Sequence, residues 1–588
     1  MFKRAASRVA GGARTLLGGA GGRPASARAQ TWTKDASRRP GSRGYADKPA
    51  ASTGPAAAAF GGFVLGGIVV GALSSRSAPD TASAAPAASQ PAVAPGGTAS
   101  ASTTPLSAVS TPVYAGPAEM ALAEAELRSV LGDDGVSTAA DQLDTHADSA
   151  WISHHPEHGE RPVLVVYPRT TEEVSAIMKV CHRYRVPVVP FSGGTSLEGH
   201  FIQTRCGVTI DFGRMDRVLA LHADDLDAVV QPAVRWEDLN EYLRPHGLFF
   251  PPDPGPGAEI GGMVGTGCSG TNAARYGTMR EWVLSLTVVL ADGTIVKTRR
   301  RPRKSSAGYN LNGLFIGSEG TLGLVTEAVV RLTVVPQTTS VAVASFGTVE
   351  AATDAVADIV RRGLTVNAVE FLDREMMRCI NAAGQTSRPW AEDHTLFFKF
   401  GGSAAGVAEQ IEQIRGIARA HGSRTFEFAS SADEQAELWE ARKEALWSTL
   451  ATGDGDTCWT TDVAVPVSRL SEIVRLTRTD MDASGIRGTL VGHVGDGNFH
   501  AFILYNDATR AAAEGVVHRL VENALAMEGT CTGEHGVGLV KRPYLEAELG
   551  PAAIDTMRSL KLALDPLCLL NADKVIAVDP AAAVPKLD

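Results

Sequence analysis

At 588 residues the chain is too long for a single core, and its 44% hydrophobic and 20% charged residues match a soluble globular composition. Its seven cysteines are scattered without a CxxC pair, which argues against a disulfide framework and a thiolate zinc site. The net charge of -10 hides an asymmetry: residues 1–48 hold eleven Lys/Arg against Asp35 and Asp47, so the remainder stands at -19 and would repel nucleic-acid phosphates.

The opening MFKRAASRVAGGARTLLGGAGGRPASARAQ is rich in Arg, Ala and Ser and has no acid, so residues 1–50 read as a transit peptide, mitochondrial rather than chloroplast. Within 51–75, AAAAFGGFVLGGIVVGAL (Ala56–Leu73) is uncharged and close to bilayer-spanning length. A single inner-membrane anchor, a sorting signal removed after import and a Gly/Ala linker all stay open. The anchor or sorting readings would place the chain at the inner membrane or in the intermembrane space. Residues 76–117 are mostly Ala, Ser, Thr and Pro and read as a flexible linker. Folded structure is expected from about Glu119, where EMALAEAELRSVLG has helical periodicity.

VLVVY (163–167) suits a buried strand, and Thr170 or Thr171 can cap a helix through EEVSAIMKVCHRY. PVVP then predicts a second strand, followed by FSGGTS. Gly193 and Gly194 leave room for close backbone approach, and such a turn can present N–H groups to a pyrophosphate. The loop is neither a Walker A motif nor a GxGxxG fingerprint. A second segment, PPDPGPGAEIGGMVGTGCSGTNAARYG, is dense in glycine and runs into SLTVVLADGTIVK, a strand–turn–strand. A third, LFIGSEGTLGLVTEAVVRL, passes from glycines to β-branched residues.

These three segments resemble the FAD-binding domain of the p-cresol methylhydroxylase/vanillyl-alcohol oxidase flavoprotein superfamily. The stretch from about Ala150 to Val578 is similar to its D-lactate dehydrogenase (cytochrome) branch. The resemblance implies an α+β fold: a two-part FAD-binding domain (118–337, with 541–588 returning to it) and an α+β cap on an antiparallel sheet (338–540). It implies FAD contacts from Pro190, Ser192, Gly193, Gly194, Thr195 and Ser196 on the first loop. Pro254, Gly261, Gly262, Thr266, Gly267, Ser269, Gly270 and Asn272 would supply the second, with Val325 and Asn571 beyond them. Asn571 is followed by Ala572 where the family usually has proline. Covalent members commonly carry histidine at the place of Thr195, so the expected FAD is non-covalent.

In GHVGDGNFH (492–500), a two-residue Asp496-Gly497 turn would set His493 opposite His500, close enough to share one divalent metal. The resemblance adds Glu534, in TGEHGVG, as third ligand and His535 as general base, although His535 as a fourth ligand stays open. Zn or Mn is the expected ion. The implied chemistry is oxidation of a small 2-hydroxy acid: the cation polarises the hydroxyl, His535 takes its proton and the flavin takes the hydride. Arg442 matches an arginine that holds the substrate carboxylate. Relatives specific for D-2-hydroxyglutarate have polar groups where this chain has Thr460, Phe502 and Leu446, so D-lactate is the expected substrate. Glycolate, D-2-hydroxyglutarate and an oxygen-using oxidase are the alternatives. Electrons are expected to leave to cytochrome c or another carrier.

Overall fold

A computed structural model describes residues 102–581, apart from residues 150, 153, 158, 430, 454 and 455. The expected transit peptide and the apolar Ala56–Leu73 segment lie outside the described residues. Among those described, no helix is long and apolar enough to cross a membrane.

The first lobe begins with helix Pro117–Leu131, started by a proline in its first turn and by Glu119, whose carboxylate accepts the Gly116 N–H at 3.1 Å. Its Met120, Ala123 and Leu127 pack with Val174, Ile177 and Met178 of helix Thr171–Tyr184. Thr170 caps that second helix, its hydroxyl accepting the Glu173 N–H. The helix crosses between parallel strands Leu164–Val166 and Val188–Phe191, which flank Val208–Asp211 on its two sides. Pro190 is tolerated because Val188–Phe191 is an edge strand of this sheet. A second sheet of five antiparallel strands includes Leu324–Arg331 between Asp227–Val230 and Val283–Val289. After Val283–Val289 the chain reverses through Asp292 and Gly293, with Gly293 at φ +85° and Leu290 N–H donating to Thr294 O.

The cap is an eight-stranded antiparallel sheet with helices on both faces. Strand alternation assigns the faces. On Thr338–Phe346, Ala342, Ala344 and Phe346 meet the helices Val349–Arg361 and Ala404–Ala420, together with Leu470–Ala483 and Arg510–Ala526. Val341 and Val343 meet the opposite layer, built on Arg374–Ala383, Ala432–Lys443 and Ala445–Thr452. The same alternation puts Val369 and Phe371 on the first face, and Glu370, between them, on the second.

The C-terminal segment returns to the first lobe. Val188 donates to Leu569 O and accepts from Asn571 N–H, both at 2.8 Å. Part of the expected linker is ordered against this segment. Thr104 N–H donates to Asp555 O at 3.1 Å, and the Tyr114 hydroxyl donates to Cys568 O at 3.1 Å. These backbone and hydroxyl bonds are why 102–116 departs from the tether expected from composition.

Candidate active site

The histidine hairpin forms, but in a different register. Its strands are Arg487–Gly492 and Asn498–Tyr505, and His500 faces Val491 rather than His493. A type I′ pair would need positive φ at both Asp496 and Gly497. Only Gly497 has it, at +85°. The chain turns earlier, with Asp496 N–H donating to His493 O and Gly497 N–H to Val494 O. The neighbouring segment enforces this, since Val465 N–H donates to Gly497 O at 3.1 Å and strand Val463–Ala464 pairs with Asn498 and Phe499.

His493 thereby sits in the loop and His500 in the strand, with ring centroids 5.5 Å apart and planes at 85°. Both Nε2 atoms face one Glu534 oxygen, at 3.1 Å from His493 and 3.4 Å from His500. One ligand atom from each of the three lies within 4.8 Å of the others. Two imidazoles and a carboxylate are a common donor set for a divalent transition metal. The other Glu534 oxygen accepts from Ser269 Oγ at 2.7 Å, so the glycine-rich segment of the first lobe reaches the cap's cluster.

The loop bearing Glu534 and His535 is held by Asp462. Its carboxylate accepts the backbone N–H of both residues at 2.9 Å, the Thr532 hydroxyl at 2.8 Å and the Asn498 amide at 2.7 Å. The Lys541 ammonium beside Asp462 overcomes the cost of burial and holds its carboxyl far below the usual range. His535 stacks on His500 with centroids 5.1 Å apart, and its Nδ1 lies 3.2 Å from buried Glu198. Its Nε2 has no hydrogen-bond partner among the described residues.

Burial disfavours charge on Glu534, yet His493 and His500 hold its carboxyl well below the ordinary range. Burial would likewise lower His493, but Glu370 and Glu534 on either side raise it well above the ordinary histidine value. Arg442 is half-buried and donates its Nε–H to Glu370 at 2.8 Å. Glu198, Glu370, Asp462 and Lys541 escaped sequence reasoning as functional residues. For Glu370 the signal was a charged residue within an apolar run, AVEFL.

The three glycine-rich segments converge. A Cβ on Gly193 would lie 2.8 Å from Gly257 O, and Glu319 N–H donates to Gly265 O at 2.9 Å. Gly194, Gly267 and Gly270 adopt positive φ. Ser192 Oγ donates to Glu259, Thr266 Oγ1 to Gly262 O, and Asn272 N–H to Asp253. Asn571 donates its amide to His200 O and Glu319 O, while its buried Oδ1 has no partner among the described residues. Among the described residues, and apart from the adjoining chain, no heavy atom lies within 4 Å of where a Cβ on Gly255, Gly257 or Gly262 would project. An open glycine cradle with an unmet buried acceptor suits a flat, polar-edged cofactor. Thr195 and Ser196 lie on the first loop, Thr195 exposed, and Pro254 is the fourth residue of the second segment. Val325 pairs with Val288 in the five-stranded sheet and packs against the cluster that holds Ile260, Met263 and Val264 of the second segment.

Residues 162–299 match the family described as FAD binding domain, and 335–575 match FAD linked oxidases, C-terminal domain. The mitochondrial D-lactate dehydrogenase [cytochrome] of Kluyveromyces lactis is 51% identical over 486 residues, covering 81% of this chain and 84% of that protein. The mitochondrial D-lactate dehydrogenase [cytochrome] 1 of Saccharomyces cerevisiae is 49% identical over 488 residues, covering 81% and 83%. The structure of p-cresol methylhydroxylase with substrate bound aligns at TM-score 0.67 and 16% identity, covering 80% of this chain and all of that one, a likeness of fold. The chain therefore belongs to the D-lactate dehydrogenase (cytochrome) family of FAD-dependent oxidoreductases.

Proposed function

We propose that this chain oxidises D-lactate to pyruvate in mitochondria with non-covalent FAD and one divalent cation, Zn or Mn, and passes the electrons to cytochrome c. The observation that carries this reading is the convergence of His493, His500 and Glu534 beside the glycine cradle. The relatives' names supply D-lactate, a cytochrome and the mitochondrial compartment. The site residues are those of the three loops, Asn571, the three cation ligands, His535 and Arg442.

A cation held by His493, His500 and Glu534 would polarise the substrate hydroxyl, and FAD in the glycine cradle would supply the hydride acceptor. His535 removes the hydroxyl proton at Nε2, because Glu198 holds the proton on Nδ1. Arg442 holds the carboxylate through its Nη groups, its Nε being engaged by Glu370. A second donor group, Asp462, His500 and His535, also has ligand atoms within 4.8 Å of one another. It is the weaker cation site, since five hydrogen bonds, one of them from the Lys541 ammonium, already occupy the Asp462 carboxylate.

Selection against a second carboxylate follows from an apolar wall. Thr460 pairs across the sheet with Phe502, and Phe502 and Leu446 pack in one cluster. A distal carboxylate brought here would lose hydration without finding a partner. The test is anaerobic bleaching of the flavin near 450 nm with D-lactate, L-lactate, glycolate or D-2-hydroxyglutarate, with and without chelator. Fast, chelator-sensitive bleaching by D-lactate is expected. Faster bleaching by another of these acids would change the substrate, and no bleaching by any would overturn the reading.

A further inference from the structure

Glu370 is fully buried in Ala368–Leu372, a strand in which all five residues are buried. A lone carboxylate there would be costly to desolvate. Its partners are two residues distant in sequence. Its two oxygens lie 2.8 and 2.9 Å from His493 Nδ1, and Oε2 accepts the Arg442 Nε–H at 2.8 Å. His493 Nε2 is thereby turned to Glu534, and the two Nη groups of Arg442 have no partner among the described residues.

Resting on the roles proposed above for His493 and Arg442, we infer that Glu370 is the positioning residue common to both. One carboxylate would fix the ring nitrogen that His493 offers to the cation and the guanidinium plane that Arg442 offers to the substrate carboxylate. A single residue then sets the spacing between the two anchors of a 2-hydroxy acid, its hydroxyl and its carboxylate. Such outer partners of metal-bound histidines typically change metal affinity ~10–100-fold when removed. The isosteric amide is a poor replacement for Glu370, because the N–H groups of His493 and Arg442 meet a charge shared over two oxygens, whereas an amide is neutral and presents an NH₂ in place of one of them.

The test compares wild type, Glu370→Gln, Glu370→Asp, Arg442→Lys and the double variant Glu370→Gln/Arg442→Lys. Mn and Zn affinity of the FAD-loaded protein is measured by calorimetry. The KM and kcat for D-lactate are measured at saturating metal. Glu370→Gln should bind metal ~10–100-fold more weakly. Its KM at saturating metal should rise roughly tenfold, with a loss that does not add to that of Arg442→Lys. Glu370→Asp keeps the charge and should recover part of both losses, and it supplies the readout if the amide variant does not fold. A Glu370→Gln protein with unchanged metal affinity and KM, differing only in melting temperature, overturns the inference. A wild type that binds neither metal nor D-lactate overturns the underlying functional reading instead.

Discussion

Glu534 is half-buried between two imidazoles, and that placement accounts for the lowering of its carboxyl pKa. Replacing His493, His500 or Glu534 with alanine should take bound divalent metal from about one ion per chain to near zero and slow flavin reduction at least ~100-fold. Metal analysis and stopped-flow bleaching read the two effects. A second residue-scale prediction concerns Glu259, whose carboxyl burial pushes up to about 7 although Ser192 donates to it. A raised carboxyl keeps its proton in the folded state, so its contribution is fully present below about pH 4.3 and is lost as pH rises through about 7. Glu259→Gln should therefore gain on wild type as pH rises from 4.5 to 8, by of order 1 kcal/mol, read from paired unfolding curves. The histidines and Glu534 were legible in sequence because glycines surround them in two short motifs. Glu370 was not, since it lies 123 positions from His493 and no local spacing links them.

At the scale of elements, the hairpin shows why a turn motif alone misplaced its histidines. Asp-Gly is a good type I′ pair, but the outer strand Val463–Ala464 competes for Asn498 and Phe499 and moves the reversal upstream. The ladder moved by two residues, and a two-residue step keeps side chains on their faces. His500 thus still points to the face it shares with Phe502, while His493 leaves the ladder for the loop. Gly497 is the pivot, with φ +85° and a position where any Cβ would collide with the Val465 carbonyl. Gly497→Ala should cost about 2 kcal/mol or more in urea unfolding and weaken metal binding with it.

The whole molecule assembles its site from distant lengths of chain: Ser269 and Glu198 from the first lobe, Glu370 and the hairpin from the cap, and Asn571 from the returning C-terminus. The ordered stretch before the first helix belongs to this assembly. A chain starting at residue 117 should melt a few degrees below one starting at 102, because the bonds of Thr104 and Tyr114 to the C-terminal segment are lost. Equal melting temperatures would show those contacts to be idle. Local chemistry, written in glycine spacing, capping threonines and alternating apolar residues, determined many of the elements, and the resemblance carried by the glycine-rich segments and the two histidine motifs supplied the α+β class and the candidate site residues. Those elements are short-range properties, set by backbone sterics and side-chain period. Tertiary structure alone decided the hairpin register, the docking of 102–116 and the buried carboxylates behind the site. Each of these depends on which remote segment competes for a backbone hydrogen bond or shares a desolvated charge, and adjacent residues do not encode that choice.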